Sequence, residues 1–264
     1  MISFVGAGPG AADLITLRGR DRLAASDVVI WASSLVPESL LEHSSDHAEI
    51  HDSASMTLED VLAVYASHGN DTRIVRLHSG DPSVYGAIAE QMEWCIEAER
   101  AFEIVPGVSS LSAAAAAMRC ELTIPQVSQS VVLTRLGGRT TDSMPSGESV
   151  RAFAAHGTTM AVFLSGARPV ELQSELLDGG YGPDTPAAVV VRVSWPDEEV
   201  VRTTVGNLAE AIRSTGATRT VLVLVGDVFS DERQARARSH LYAPEFAHAF
   251  RRRSVPGSTV GRPA

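Results

Sequence analysis

Lysine is absent from this chain of 264 residues, and cysteine and long apolar runs are scarce. All 22 basic residues are arginine, so no lysine can form a Schiff base or act as a general base. An anionic ligand must therefore be held by arginine, histidine or backbone N–H groups. The two cysteines, Cys95 and Cys120, are too few for a disulfide scaffold, and we expect buried thiols in a reducing cytoplasm.

Positive charge is also in short supply, since the formal net charge is -10. Affinity for nucleic acid comes mainly from basic contacts to phosphate, so this balance argues against a nucleic-acid partner. No apolar run approaches the ~20 residues that a membrane span needs, which argues against a membrane partner. The N-terminus lacks the pattern of a secretory signal. With 44% hydrophobic and 20% charged residues, the composition predicts a soluble, globular, cytoplasmic protein.

Short apolar segments alternate with helix-like segments along most of the chain, which predicts mostly parallel sheets with helices on their faces. A proline-containing segment, Leu122–Gln129, interrupts this pattern before it resumes. We therefore predict two α/β domains, residues 1–121 and 122–230, and a basic, disordered tail at 231–264. The predicted strands are Ile2–Val5, Val28–Ala32, Arg73–Leu77, Phe102–Val105, Val131–Leu133, Met160–Leu164, Ala187–Val193, Val200–Val205 and Val221–Val225. The predicted helices include Thr16–Ala25, one opened by a capping box at Thr57–Asp60, and Tyr85–Glu99.

Three glycine-containing turns follow predicted strands in the first half of the chain. They are Gly6–Gly10, Gly80–Pro82 and Pro106–Ser110. Glycine accepts positive φ and lets the backbone approach a ligand closely. Turns at the carboxyl ends of successive strands in an α/β domain form a crevice for a small ligand. Each turn alone fits an ordinary strand-to-helix connection, whereas the three together predict a ligand site.

The spacing of Gly6, Gly8 and Ala11 also satisfies the G-x-G-x-x-[G/A] pattern of dinucleotide-binding proteins. An NAD(P)-dependent oxidoreductase would need an acidic residue at the end of the second strand, and that strand ends in Trp31 and Ala32. Pro9 also lacks the backbone N–H that would face a pyrophosphate. This function remains the weaker alternative. No set of residues with metal-ligand spacing stands out.

Several motifs, in order from residue 1 to about 228, resemble the tetrapyrrole methylase family. Its members transfer methyl groups from S-adenosylmethionine (SAM) to carbon atoms of tetrapyrroles. Two segments, Asp52–Thr57 and Glu121–Arg135, are similar to the branch that methylates carbon 11 of precorrin-4, or of its cobalt form, on the way to cobalamin. Another tetrapyrrole position and a non-catalytic relative remain open as alternatives. The motifs that carry the resemblance are Gly6–Gly10, Arg76–Gly86, Pro106–Ser110, Thr159–Ser165, Ser194–Glu198 and Thr220–Gly226.

The resemblance implies two α/β domains with a cofactor cleft between them, assembled as a homodimer. It implies SAM as cofactor and S-adenosylhomocysteine as its product. Asp81 and Ser109 could instead cap the helices that follow them, and Phe163 and Leu164 could be plain core. The cofactor-binding residues implied by the resemblance are Pro9, Gly80, Asp81, Val84, Ser109, Ser110, Phe163, Leu164, Arg192 and Thr220.

The chemistry implied by the resemblance is an SN2 transfer of methyl from a sulfonium to a nucleophilic ring carbon. The protein's main tasks are then alignment and exclusion of water. A proton on the product must eventually be lost or moved, and Asp81 and His78 are the candidate catalytic residues for this step. Because the tetrapyrrole carries many carboxylates, we expect arginine to hold the substrate. The candidates are Arg18, Arg76 and Arg135.

Overall fold

The computed structural model describes residues 1–137, 144–145, 147–230, 239, 241 and 243–254. Their contacts divide the chain into two compact units. The first contains Met1–Met118 and Val190–Val200, and the second contains the other described residues from Arg119 on. The predicted α/β class is confirmed, because each unit combines a five-stranded sheet with α-helices. The predicted domain boundary at 121/122 stays a prediction, and most of the predicted tail lies outside the described residues.

The first sheet contains five strands, all parallel, in the order β3-β2-β4-β1-β5. In a parallel sheet the carboxyl ends of all strands lie at one edge, so the turns after the neighbours β4, β1 and β5 meet there. The strands are β1 (Ile2–Gly6), β2 (Val28–Trp31), β3 (Glu49–Asp52), β4 (Ile74–His78) and β5 (Phe102–Val105). The helices of this unit are α1 (Leu17–Ala24), α2 (Leu58–Ala66), α3 (Ala89–Glu97) and α4 (Ser110–Met118).

Both faces of this sheet are covered by apolar side chains, as expected for a parallel sheet. Phe4 belongs to a cluster with Tyr65 and Ile74, whereas its neighbour Val5 belongs to a second cluster with Leu77. Successive residues of a strand point to opposite faces, which explains the division.

Local sequence signals place two of the helix starts. The Thr16 hydroxyl accepts a hydrogen bond from the Gly19 N–H at 3.1 Å and so caps α1. Thr57 and Asp60 form the predicted capping box of α2, in which each side chain accepts from the other's backbone N–H. Both predicted helix starts are confirmed.

The predicted start of α3 at Tyr85 is wrong, since this helix begins at Ala89. Tyr85 and Ala87 have φ of 57° and 49°, which an α-helix does not allow. A Cβ on Gly86 would lie 2.9 Å from the Pro82 carbonyl carbon, so the chain folds tightly back on itself here. The segment is a turn whose conformation overrides its helix-like composition.

The second sheet has the order β6-β7-β10-β8-β9 and is mixed. β6 and β7 are parallel, whereas β7 and β10 are antiparallel, which the alternation of elements did not predict. None of the helices in the described part of the chain is long and apolar enough to cross a membrane. The strands are β6 (Val131–Arg135), β7 (Thr159–Phe163), β8 (Pro186–Val191), β9 (Glu199–Thr204) and β10 (Val221–Val225), and the helices are α5 (Val150–Ala154), α6 (Pro169–Gly179) and α7 (Leu208–Ser214).

The two cysteines differ in their environment. Cys95 is buried in α3, in agreement with the prediction. Cys120 follows α4 and is only partly buried, so the prediction of a buried thiol is wrong for this residue.

Candidate functional site

The turns after β1, β4 and β5 contact one another through their backbones. The Gly8 N–H donates to the Gly80 carbonyl at 3.2 Å, and the Gly80 N–H donates to the Gly8 carbonyl at 2.8 Å. A Cβ on Gly6 would lie 2.5 Å from the Gly107 nitrogen and 2.7 Å from the Gly80 oxygen. Only glycine leaves room for this approach. The structure therefore brings the three predicted turns together at one edge of the first sheet.

Asp81 links the second turn to the third. Its Oδ2 accepts a hydrogen bond from the Gly107 N–H at 2.9 Å, and its Oδ1 accepts from the Ser83 N–H at 2.8 Å and from the Ser83 hydroxyl. Burial acts to raise the pKa of this carboxyl, but the hydrogen bonds from Ser83 and Gly107 outweigh it and lower the pKa below its usual value. Asp81 is thus a fixed carboxylate at neutral pH. It does not cap α3, which begins only at Ala89.

Gly80 lies in ordinary van der Waals contact with the turn that precedes α4. Its φ is 67°, and a Cβ there would come no closer than 3.8 Å to its nearest neighbour, the Ser110 nitrogen. Val84 closes the turn by donating its N–H to the Asp81 carbonyl at 3.2 Å. The Ser109 hydroxyl accepts from the Leu111 N–H at 3.3 Å, so this hydroxyl caps the start of α4, as the simpler alternative proposed. The cofactor roles of Val84, Ser109 and Ser110 stay predictions.

The first turn is held by a segment that follows it by more than 180 residues. Trp195 Nε1 donates to the Pro9 carbonyl at 3.1 Å, and the Ser194 hydroxyl accepts from the Ala11 N–H at 2.9 Å. The Arg192 guanidinium lies 4.1 Å from the centre of the Trp195 ring. Arg192 Nε also donates to Asp197 Oδ1 at 2.7 Å. The resemblance implies a cofactor role for Arg192 but none for Trp195, although Trp195 lies in the motif Ser194–Glu198 that contributes to the resemblance.

The same hydrogen bonds weaken the dinucleotide alternative. A pyrophosphate needs free backbone N–H groups in the first turn. In this turn the Ala7 N–H donates to the His78 carbonyl, Gly8 to Gly80 and Ala11 to Ser194, while Pro9 has no N–H. A short 3-10 helix, Ala12–Leu14, follows the turn, and α1 begins only at Leu17. Few donors are left for a pyrophosphate.

His78, at the end of β4, is a buried and neutral imidazole. Only 7% of the residue is exposed, its ring lies 6.0 Å from that of Phe4, and its Nε2 is buried without a hydrogen-bond partner among the described residues. Burial, reinforced by the charge of Arg76, lowers the pKa of His78 to about 3, against a smaller opposing effect of a backbone hydrogen bond with Gly86. His78 is therefore a weak proton acceptor at neutral pH, and its catalytic role stays a prediction.

Two of the three candidate substrate arginines lie in the first unit, in different settings. Arg76 is largely enclosed, and its Nη1 donates to the Ser53 hydroxyl at 2.8 Å and to the Ile30 carbonyl at 3.4 Å. Burial lowers the pKa of Arg76, and no ion pair joins it to a carboxylate in the described part of the chain. Arg18 is exposed in the first turn of α1, where its charge contributes to lowering the pKa of Glu103.

The remaining predicted residues lie at one end of the second sheet. Arg135 is level with Phe163 in the parallel pair β6 and β7. β7 ends just before Leu164, and β10 begins just after Thr220, next to it in the antiparallel register. Leu164 and Thr220 have φ of 54° and 53°, and Leu164 is 69% exposed. Leu164 is therefore not core, and two strained residues share this end of the sheet.

The polar groups of the three turns suit a positively charged or zwitterionic ligand. Asp81 is the charged residue in Gly6–Gly10, Gly80–Pro82 and Pro106–Ser110, and it is accompanied by backbone groups and serine hydroxyls. A carboxylate attracts a sulfonium or an ammonium group and repels a pyrophosphate. The residues present thus fit SAM better than a dinucleotide. Within the described residues, no group of three or more His, Cys, Asp or Glu is arranged to hold a metal ion.

Comparison with known proteins places these features in a wider context. The sequence profile of the tetrapyrrole (corrin/porphyrin) methylases matches residues 1–209. Cobalt-precorrin-4 C(11)-methyltransferase of Methanocaldococcus jannaschii is 44% identical over 252 residues, which cover 95% of this chain and 96% of that protein. Precorrin-4 C(11)-methyltransferase of Pseudomonas aeruginosa is 42% identical over 95% of this chain and 98% of its own length.

Solved structures of tetrapyrrole methyltransferases are also similar to this chain. The X-ray structure of a cobalamin biosynthetic enzyme, cobalt precorrin-4 methyltransferase, superimposes with a TM-score of 0.83 at 41% identity, covering 87% of this chain and 95% of that one. Uroporphyrin-III C-methyl transferase from Thermus thermophilus, complexed with S-adenyl homocysteine, gives a TM-score of 0.72 at 28% identity, with 86% and 97% of the two chains covered.

Proposed function

Because this chain belongs to the family of tetrapyrrole (corrin/porphyrin) methylases, we propose that it transfers a methyl group from SAM to carbon 11 of precorrin-4 or of its cobalt form. The observation that carries this proposal is the identity of 42% to 44% with two enzymes named for that reaction, each over 95% of this chain. The product would be precorrin-5 or its cobalt form, in the biosynthesis of cobalamin.

The three glycine turns and Asp81 would hold the cofactor. SAM supplies an already activated methyl group, so the protein needs no nucleophile of its own. The fixed Asp81 carboxylate attracts a cationic ligand. Gly80, with a φ of 67° and no side chain, leaves its backbone accessible at this turn. We also propose contacts to the cofactor from Pro9, Val84, Ser109 and Ser110. The same role is proposed for Phe163, Leu164, Arg192 and Thr220.

Arginine side chains would hold the carboxylates of the substrate. Arg18 is exposed and available for a bidentate contact, which makes it the best placed of the three candidates. Arg76 already donates to Ser53 and Ile30, so it would have to rearrange or use its remaining N–H groups. Arg135, at the end of β6, is the third candidate.

The two candidate proton acceptors, Asp81 and His78, are both weak bases. The lowered pKa values of Asp81 and His78 make both weak acceptors at neutral pH. We keep both residues as the candidates. We also propose that the enzyme is cytoplasmic and forms a homodimer. Light scattering on the purified protein tests the oligomeric state.

Ligand titration followed by product analysis tests the function. We expect calorimetry to give micromolar binding of SAM and no binding of NADPH. The enzyme should then methylate precorrin-4 or cobalt-precorrin-4, and NMR of the product should place the new methyl on carbon 11. Methylation of uroporphyrinogen III instead would assign the chain to another tetrapyrrole position. Binding of NADPH alone would refute the methyltransferase proposal.

A further inference from the structure

Trp195 contacts the first glycine turn in two ways. Its indole N–H donates to the Pro9 carbonyl at 3.1 Å. Its ring also lies against Gly10 so closely that a Cβ on Gly10 would be 2.6 Å from Nε1 and nearer still to Cδ1. Real Cβ atoms do not approach other atoms so closely, so Gly10 can only be glycine while the indole is in place. The turn and the ring therefore fix each other's position.

The segment that carries Trp195 is itself held in one conformation. The Arg192 guanidinium stacks over the indole at 4.1 Å, and Asp197 Oδ1 accepts from Arg192 Nε at 2.7 Å. The Ser194 N–H donates to Glu198 Oε2 at 2.6 Å. Arg192 and Ser194 have φ of 47° and 63°, a strained backbone that persists only when its surroundings hold it. A preformed support of this kind stabilises one geometry of the turn before any ligand arrives.

The turn has little other support on this side. Pro9 has no N–H, and the Ala11 N–H donates to Ser194, which belongs to the same segment as Trp195. The next regular element, Ala12–Leu14, is a single 3-10 turn without a side-chain cap. Removing the indole would therefore free Pro9 and Gly10 to adopt other backbone conformations.

We propose that Trp195 is a positioning residue for the cofactor, which acts by holding Pro9 and Gly10 in the conformation that binds SAM. This positioning role rests on the proposed function, because the turn must be part of the SAM site. Arg192 acts in the same unit by orienting the indole. An ordered turn loses less conformational entropy on binding, so the effect falls on cofactor affinity. The chemical step is left unchanged.

Substitutions at Trp195 test this role through cofactor affinity. We expect Trp195→Ala to raise the Kd and the KM for SAM by about tenfold while kcat stays within twofold of wild type. Trp195→Phe keeps a ring against Gly10 but loses the donor to Pro9, and we expect about a threefold rise. Trp94→Phe, which removes an indole N–H in α3, is the matched control and should leave both constants unchanged. Circular dichroism checks that each variant is folded.

A double substitution separates positioning from general destabilisation. Gly10→Ala collides with the indole, so we expect it to weaken SAM binding at least tenfold in the wild-type background. In the Trp195→Ala background both contacts with the ring are gone and only the 2.9 Å approach to Ser194 Oγ remains, so Gly10→Ala should weaken binding by less than threefold.

The outcomes are distinguishable. If wild type binds SAM but Trp195→Ala and Trp195→Phe bind it equally well, the positioning role is refuted and the proposed function stands. An equal penalty for Gly10→Ala in both backgrounds also refutes it, as does a fall in kcat with KM unchanged. If wild type binds no SAM, the proposed function fails and the positioning role fails with it.

Discussion

Two titratable side chains near the carboxyl end of β4 have opposite environments. Asp81 accepts hydrogen bonds at both carboxylate oxygens, which keeps it ionised. His78 lies among apolar side chains with its Nε2 unpartnered in the described structure, which keeps it neutral. The sequence alone identifies Asp81 and His78 as candidates for proton transfer, because carboxylate and imidazole side chains can both accept a proton. Their partners, which decide what each can do, are set by tertiary structure.

The charge of Asp81 can be separated from its structural contacts. Asp81→Ala removes the acceptor for the Gly107 and Ser83 N–H groups, so we expect it to lower the free energy of unfolding by about 1–3 kcal/mol and to abolish detectable SAM binding. Asp81→Asn keeps one oxygen acceptor and should be more stable than Asp81→Ala, yet bind SAM at least tenfold more weakly than wild type. Urea denaturation and calorimetry measure the two effects. Wild-type SAM affinity in Asp81→Asn would show that the charge plays no part in binding.

The lowered pKa of His78 makes the free energy of unfolding depend on pH. Its pKa is about 3 in the folded protein and about 6.5 when unfolded, so below pH 6.5 the unfolded chain binds a proton that the folded chain does not. Stability is therefore full above pH 6.5 and falls as the pH drops toward 3, with a slope of up to about 1.4 kcal/mol per pH unit. We expect His78→Gln to have a flatter profile than wild type between pH 7 and pH 5.

The exposed His156 supplies the control for this experiment, since His156→Gln should leave the wild-type slope unchanged. Asp27 does not interfere in this range. Its pKa is lowered to about 2 by hydrogen bonds from Arg73, so its contribution is present above the usual pKa near 4 and is lost only as the pH falls below that. Equal slopes for wild type and His78→Gln would contradict the assignment of His78 as a buried neutral group.

At the scale of elements, the ends of strands carry most of the unusual backbone. Leu164 directly follows β7 and Thr220 directly precedes β10, both with positive φ. Such residues cost about 1–3 kcal/mol each and persist where the surroundings hold them. Leu164 is 69% exposed, so burial of its own side chain does not compensate for the strain. A strained, exposed leucine at a strand end is consistent with a role in ligand contact.

Leu164→Asn tests this interpretation, because asparagine tolerates positive φ and little apolar area is lost. We expect the variant to be more stable than wild type by about 0.5–1 kcal/mol and to bind SAM more weakly. Val170→Asn, at another exposed apolar position in α6, should not be stabilised and should bind SAM normally. Thermal unfolding and calorimetry give both quantities. A stabilised Leu164→Asn with unchanged SAM affinity would mean that the strain serves no cofactor contact.

The sequence predicted most elements to within a residue or two, and the exceptions have physical causes. Strands such as Phe102–Val105 were placed correctly because apolar runs between turn residues are a local signal. The first turn of α3 was not, because the contact of Gly86 with Pro82 overrides helix propensity. The pairing direction of β7 and β10 is also invisible in either strand alone. The contact of Trp195 with Gly10 joins distant parts of the chain, and no single-sequence pattern reports it.

At the scale of the whole molecule, a bound ligand should stabilise the folded state by mass action. At a SAM concentration of 100 times Kd, the expected gain in the free energy of unfolding is about 2.7 kcal/mol. We therefore expect SAM and S-adenosylhomocysteine each to raise the melting temperature, and NADPH at the same concentration to leave it unchanged. Differential scanning fluorimetry measures the shift. A shift with NADPH and none with SAM would restore the dinucleotide alternative.

The backbone contacts among Gly6, Gly80 and Gly107 also limit which sequences this molecule can explore. If every codon were randomised and the active variants were recovered, we expect Gly6 and Gly107 to tolerate no replacement, because the first added carbon already collides with a neighbouring main chain. Gly69 has nothing within 4 Å of its missing Cβ and should accept many residues. Descendants of this chain can therefore vary freely in its surface turns, while these two positions give selection a single choice.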